Sequence, residues 1–283
     1  MGNNNTSVLN RVFSRNTLSA ILAGKEENPY AIAVRRYVDD PQGKKNRQII
    51  SEIYRVLNED HRNEYFYKNS LLNNLLLHDP HHNLRNTIAL TEIPVGRSKV
   101  DLVLINGLAH VYEIKTELDN FDRLDSQISN YYKAFDHVSV VTCQENVEKL
   151  LSILSGTHTG IVVLQSDSTL VTVKPSVEEQ SQLDHVTMFK ILRKQEYSNI
   201  IMQEFKSLPD VSQFEYFTAY KQLFCQIDIN KAYRLFLSEL KKRSTITEEK
   251  YFMIPDELKS LVYFSKLKVT DFEKIERFLH SYF

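Results

Sequence analysis

Residues 99–131, KVDLVLINGLAHVYEIKTELDNFDRLDSQISNY, read as strand, tight turn, strand and helix, with charge placed at particular points. Val100 to Ile105 and Leu108 to Ile114 are β-rich runs flanking Asn106-Gly107, a strong short-range hairpin signal. Asp101 begins the first strand, and Glu113 and Lys115 stand two apart near the end of the second, so the strand period points both to one face. Two carboxylates and an ammonium at one end of an apolar hairpin are costly to desolvate unless they bind something. A divalent cation on the carboxylates, with the lysine aimed at a phosphate or a water, would meet that cost. The turn tests the idea. A two-residue turn pairs Ile105 with Leu108 and Asp101 with Tyr112, which sends Asp101 and Glu113 to opposite faces. A three-residue loop, Ile105-Asn106-Gly107 with Gly107 left-handed, pairs Leu104 with Leu108 and returns Asp101 to the face of Glu113. The metal-site reading therefore requires an odd loop or a bulge.

Working outward, Thr87 to Val95 is expected as the preceding strand with Glu92 near its end. Asp119 or Asn120 is expected to cap a helix running to Phe135, on which Arg123, Gln127 and Tyr131 recur every four residues along one face. Apolar strands follow at 136–142, 160–164 and 170–173, with a helix at 145–154, giving an α/β layered core. Upstream, residues 8–24 read as one amphipathic helix and Asn46 to Leu77 as two, broken near Asp60. Glu64 opens the second of these, where a carboxylate suits the helix dipole as readily as it suits a cation. Arg35, Arg36, Lys44, Lys45 and Arg47 form the densest positive stretch, with breakers at Asn28-Pro29 and 39–43 around it, and read as a solvated loop or a phosphate-contacting arm. His78-Asp79-Pro80-His81-His82 reads as a loop rather than a zinc site. Pro175 to Asp184 is polar and acidic, a plausible linker, and residues 183–283 show helical periodicity without a glycine. The segments expected are a helical extension over 1–58, a core over 59–176 and a helical region over 177–283.

The chain has 283 residues, of which 42% are hydrophobic, ample for a buried core. Its net charge of −1 offers no general positive field, so contact with DNA must come from local clusters and from cations offsetting an acidic site. Cys143 and Cys225, far apart in sequence, suggest neither a disulfide framework nor a zinc pattern. No window suggests a membrane span and no leader precedes the first helix, so a cytoplasmic protein is expected.

Glu92, Asp101, Tyr112-Glu113-Ile114-Lys115, Asp119, Arg123-Leu124 and Gln127, in this order of elements, resemble the PD-(D/E)XK nuclease superfamily. Gln127 with Tyr131 matches the Q-x-x-x-Y helix motif of its RecB-type members, and the resemblance covers residues 64–164. It implies a restriction-endonuclease-like α/β core, a mixed sheet flanked by helices, with N-terminal helices and an all-α C-terminal region. It implies that Asp101, Glu113 and the carbonyl of Ile114 bind Mg²⁺ or Mn²⁺, with Glu64 or Glu92 completing the site. Lys115 would activate the attacking water, and Gln127, Tyr131 and Arg123 would orient Lys115 or the scissile phosphate. Val100 stands where the namesake proline would be. The implied activity is hydrolysis of phosphodiester bonds in DNA, in bacterial DNA maintenance or phage defence. The alternatives are a non-cleaving nucleic-acid-binding module and an enzyme gated by a protein partner docked on the helical C-terminal region.

Overall fold

The computed structural model describes residues 6–60, 62–77, 84, 86–243 and 251–283. The histidine tract at 78–82 lies outside them. The chain forms two compact units, one comprising residues 1–84, 164–170 and 246–283, the other 85–163 and 171–245. Together they carry a mixed α/β architecture: a six-stranded mixed sheet flanked by helices, N-terminal helices and a helical C-terminal region. No helix of the described residues is long and apolar enough to cross a membrane.

The first unit is helical. It holds α1 (Thr6–Val12), α2 (Arg15–Leu22), α3 (Pro29–Tyr37), α4 (Asn46–Asp60) and α5 (Glu64–Leu72), the last continuing as a π-helix, Asn73–Leu77. The single helix expected over 8–24 is two, because the Ser14 hydroxyl accepts the Thr17 N–H and starts a new helix there. The basic segment is not a loop throughout: Asn28 caps α3 with Pro29 in its first turn, so Arg35 and Arg36 ride on its last turn. The C-terminal end of the chain closes this unit, with α12 (Lys259–Phe264) and α13 (Val269–His280). Asn46 donates to the carbonyls of Phe278 and Ser281, both at 3.1 Å. Asn69, fully buried, donates to the Asp256 carbonyl at 2.8 Å and accepts the Ser260 N–H at 2.9 Å. Two asparagines thus serve as clasps between segments about two hundred residues apart.

The second unit is built on β1 (Ile88–Leu90), β2 (Ile93–Val95), β3 (Ser98–Val100), β4 (Leu102–Ile105), β5 (Ala109–Lys115), β6 (His137–Thr142), β7 (Gly160–Leu164) and β8 (Leu170–Lys174). The main sheet runs β1-β4-β5-β6-β7-β8, while β2 and β3 pair only with each other. β1, β4 and β5 are antiparallel neighbours, and β5-β6 and β6-β7 are parallel. The parallel pairs are bridged by α6 (Leu124–Tyr131) and α7 (Val147–Ile153). Val103, Val111, Val140 and Ile161 of the sheet share a core with Leu124, Ile128 and Phe135, and that core extends into α8 (His185–Ile191), α9 (Lys194–Phe205), α10 (Tyr216–Phe224) and α11 (Ile229–Lys241). Residues 175–184 do not hang free: the N–H groups of Val177, Glu179 and Asp184 donate to the carbonyls of His158, Asp136 and Lys133. Arg243, at the end of a basic run, is buried in an ion pair with Glu196 at 2.6 Å.

One polar cluster lies on the sheet face opposite Glu113. His110 stacks on Tyr112 with ring centroids 4.3 Å apart, its Nε2 lies 2.8 Å from Ser139 Oγ, and the His137 ring is 5.6 Å away. Asp136, which faces His137 and accepts the Ala109 N–H, completes the surroundings with Ser176. Burial, reinforced by His137, pushes the His110 imidazole down to about 3.

Two stability measurements follow. Asn69→Ala orphans the buried Ser260 N–H, and should lower the urea unfolding free energy by about 3 kcal/mol. Because the folded pKa of His110 lies below its unfolded one, its contribution is fully present above pH 6.5 and is lost as pH falls towards 3. Denaturant titrations should show a loss of about 1.4 kcal/mol per pH unit below that point, and His110→Gln should flatten it.

Candidate active site

The site is made by two breaks in facing strands. The run 87–95, expected as one strand, divides at Thr91-Glu92, where Glu92 has φ of +59° and its N–H donates to the Val100 carbonyl at 2.9 Å. The strand expected from Val100 divides at Asp101. Registers on either side of the breaks agree, with Leu90 facing Val103 and Ile93 facing Val100. Continued across the break, they set Glu92 opposite Asp101.

The neighbouring hairpin extends the row. Ile105 pairs with Ala109 and Leu102 with Tyr112, so the connection is the three residues Asn106-Gly107-Leu108. The odd loop required by the metal-site reading is present, displaced by one residue from the expected one. Gly107 has φ of +140°, outside the left-handed helical well but equally a glycine conformation. One further step of this register sets Asp101 opposite Glu113, not Val111. The extended registers thus set Glu92 opposite Asp101 and Asp101 opposite Glu113. Asp101 Oδ2 accepts the Ile114 N–H at 2.8 Å. Carboxylate oxygens of Glu92 and Asp101 come within 4.8 Å of each other, and Lys99 Nζ lies 2.9 Å from Glu92 Oε2.

Glu113 is 2% exposed and is held by three donors. Lys115 Nζ lies 2.9 Å from its Oε1, Gln127 Nε2 donates to the same oxygen, and the Tyr131 hydroxyl lies 2.7 Å from Oε2. Lys115 Nζ also donates to Gln127 Oε1 at 3.0 Å. Gln127 thus holds the carboxylate with its amide nitrogen and the ammonium with its oxygen. The Tyr131 hydroxyl also reaches the Lys99 carbonyl at 2.9 Å, so its one hydrogen serves both β3 and Glu113. Burial first, and the Glu113 charge second, raise the Tyr131 phenol far above its ordinary value, which keeps it a donor. The strand end is braced below by Thr142 Oγ1, which donates to the Lys115 carbonyl at 2.7 Å, and by Asn146, which donates to Thr142.

Of the residues expected from sequence, Glu92, Asp101, Glu113, Ile114, Lys115, Gln127 and Tyr131 converge at this end of the sheet. Glu64 belongs to the helical unit, where it opens α5 and pairs with Lys68 one turn on at 2.5 Å. The helix expected from Asp119 or Asn120 to Phe135 is shorter, Leu124–Tyr131, because Asp119 spends its carboxylate on the N–H and hydroxyl of Thr116. Sequence reading missed Asn130, whose Nδ2 donates to Ser98 Oγ at 2.8 Å, and the brace formed by Thr142 and Asn146. Asn130 follows the Gln127 motif residue by three, and that spacing could have found it.

The family of Bacteriophage P4 protein cII matches residues 57–261, more than half of the sequence. The chain belongs to this family. It is similar to Protein cII of Enterobacteria phage P4, 27% identical over 107 residues that make up 37% of this chain and 40% of the relative. The match thus spans well under half of that relative's length. A solved structure, a protein of unknown function from Silicibacter pomeroyi, is 14% identical, covers 45% of this chain and 87% of its own, and aligns with a TM-score of 0.28, too low to carry an argument.

Tyr131→Phe removes the donor to Glu113 Oε2 and leaves a buried carboxylate oxygen short of a partner. It should cost about 1–3 kcal/mol in chemical denaturation, and an undiminished midpoint would show that Lys115 and Gln127 suffice.

Proposed function

We propose that this family member is a metal-dependent nuclease of the PD-(D/E)XK type, hydrolysing phosphodiester bonds in DNA. The observation that carries the reading is that Glu92 and Asp101, at two matched strand breaks, bring their carboxylate oxygens within 4.8 Å of each other, while Asp101 is hydrogen-bonded to the Ile114 N–H between Glu113 and Lys115. The donor set fits Mg²⁺ or Mn²⁺: carboxylate oxygens, hard ligands, from adjacent strands, with the Ile114 carbonyl beside them. Asp101, Glu113, Glu92 and Ile114 would hold the ion, which would lower the pKa of a bound water and offset charge on the phosphate. Of the chain's own groups, Lys115 has three ammonium hydrogens and spends two on Glu113 and Gln127. The third is available to orient the attacking water or to stabilise the charge that develops on the phosphoryl oxygens. Gln127 fixes the ammonium, and Tyr131 fixes the carboxylate.

A second reading, a module that cleaves only when a partner rearranges it, or not at all, is favoured by one observation. Three of the roughly four lone-pair sites of Glu113 are already taken by donors of the chain itself. An ion reaching Glu113 finds one lone-pair site left, on Oε2 beside the Tyr131 hydroxyl, and gains Oε1 only by displacing Gln127 or Lys115. The partner in that reading docks on the helical C-terminal region.

The test is cleavage of plasmid and single-stranded DNA with Mg²⁺ or Mn²⁺, wild type beside Lys115→Ala and Asp101→Asn. Loss of about a hundredfold or more in both variants is expected. Cleavage unchanged in the variants would place the activity elsewhere. DNA binding without cleavage would favour the non-cleaving reading.

A further inference from the structure

The β2–β3 hairpin stands as a sheet of its own, immediately before Asp101 in the chain. Ile93, Val95 and Val100 are buried on one side, whereas Pro94 and Lys99 are exposed on the other and Gly96-Arg97 forms the exposed tip. An apolar underside and a cationic outer side are what a protruding arm needs if it is to be held still. The hold comes from α6. Asn130 donates to Ser98, Tyr131 reaches the Lys99 carbonyl, and a β-carbon on Gly96 (φ +60°) would lie 2.8 Å from Asn130 Oδ1. These contacts tie the tip to the helix that carries Gln127 and Tyr131.

Arg123 lies at the opposite end of α6, exposed, with its carbonyl accepting the Gln127 N–H. Neither Arg97 nor Arg123 forms an ion pair with a described residue, although Arg35, Lys44, Lys99, Lys115 and Arg243 all do. From Arg123 to Asn130 the helix rises about 10 Å, roughly three base-pair steps of DNA, and Lys115 meets Gln127 between them. Two unspent guanidiniums at the ends of a short line through the site suit bidentate contact with phosphates.

We propose that Arg97, at the tip of this hairpin, and Arg123, at the start of α6, grip the DNA backbone on either side of the phosphate presented to Lys115. This rests on the nuclease reading of the site and adds what that reading lacks, a grip on a polyanion by a chain of net charge −1. The strand would run along α6, its register fixed by Asn130 and Gly96 rather than by base contacts.

The test uses the full chain and a labelled DNA duplex in EDTA, with affinity followed by fluorescence anisotropy over a range of salt. Arg97→Ala and Arg123→Ala should each lower the slope of log affinity against log salt by about 0.9, and Arg97→Lys should retain it. Gly96→Ala, which keeps every charge but displaces the tip, should weaken binding severalfold. An Arg97→Ala slope equal to that of wild type, or a wild type that binds no duplex, overturns the proposal. Cleavage separates the two readings. A chain that binds with these slopes yet never cleaves keeps the grip and loses the nuclease reading. One that cleaves while Arg97→Ala binds like wild type does the reverse.

Discussion

A carboxylate buried to the degree of Glu113 is tolerated only with donors on both oxygens, and each donor fixes a different piece of the structure. Lys115 comes from the same strand face, two residues on. Gln127 and Tyr131 come from consecutive turns of α6, so satisfying one carboxylate sets both the height and the rotation of that helix over the sheet. Tyr131 then passes the constraint to β3 through the Lys99 carbonyl. A local electrostatic demand thereby determines how a helix, the main sheet and a separate hairpin meet.

The strand breaks answer to the same demand. Glu92 holds a left-handed backbone conformation that costs a non-glycine residue about 1 kcal/mol or more. An unbroken strand would have avoided that cost and carried the pairing straight past Asp101. With the break, the outer hairpin separates into its own sheet and the polar row sits where the two sheets part. The strained residue is thus a polar one at the gap, with apolar strands on either side.

The sequence made this core legible because its signals were local: strand alternation, Asn-Gly, and residues four apart on a helix. The parity argument needed only that the loop be odd, so it survived a loop one residue displaced. What escaped was decided by competition between neighbouring groups. Asp119 reads as a helix cap until the Thr116 N–H is seen to claim it, and residues 8–24 read as one helix until Ser14 is seen to start another. Asn46 and Asn69 help to clasp residues 251–283 to the N-terminal helices, and as polar residues they are not revealed by any hydrophobic pattern.

Charge balance gives the row its chemical character. Two of its three carboxylates already hold an ammonium, Glu92 through Lys99 and Glu113 through Lys115, while Asp101 accepts the Ile114 N–H. The two ion pairs differ in kind. Lys99 and Glu92 are 62% and 47% exposed, so water screens that pair and either partner is readily given up. Lys115 and Glu113 are 11% and 2% exposed, and separating them leaves a buried charge unless another cation takes over the carboxylate. The exposed pair is therefore the more easily parted of the two, and the buried pair is the one that holds the strand end in place.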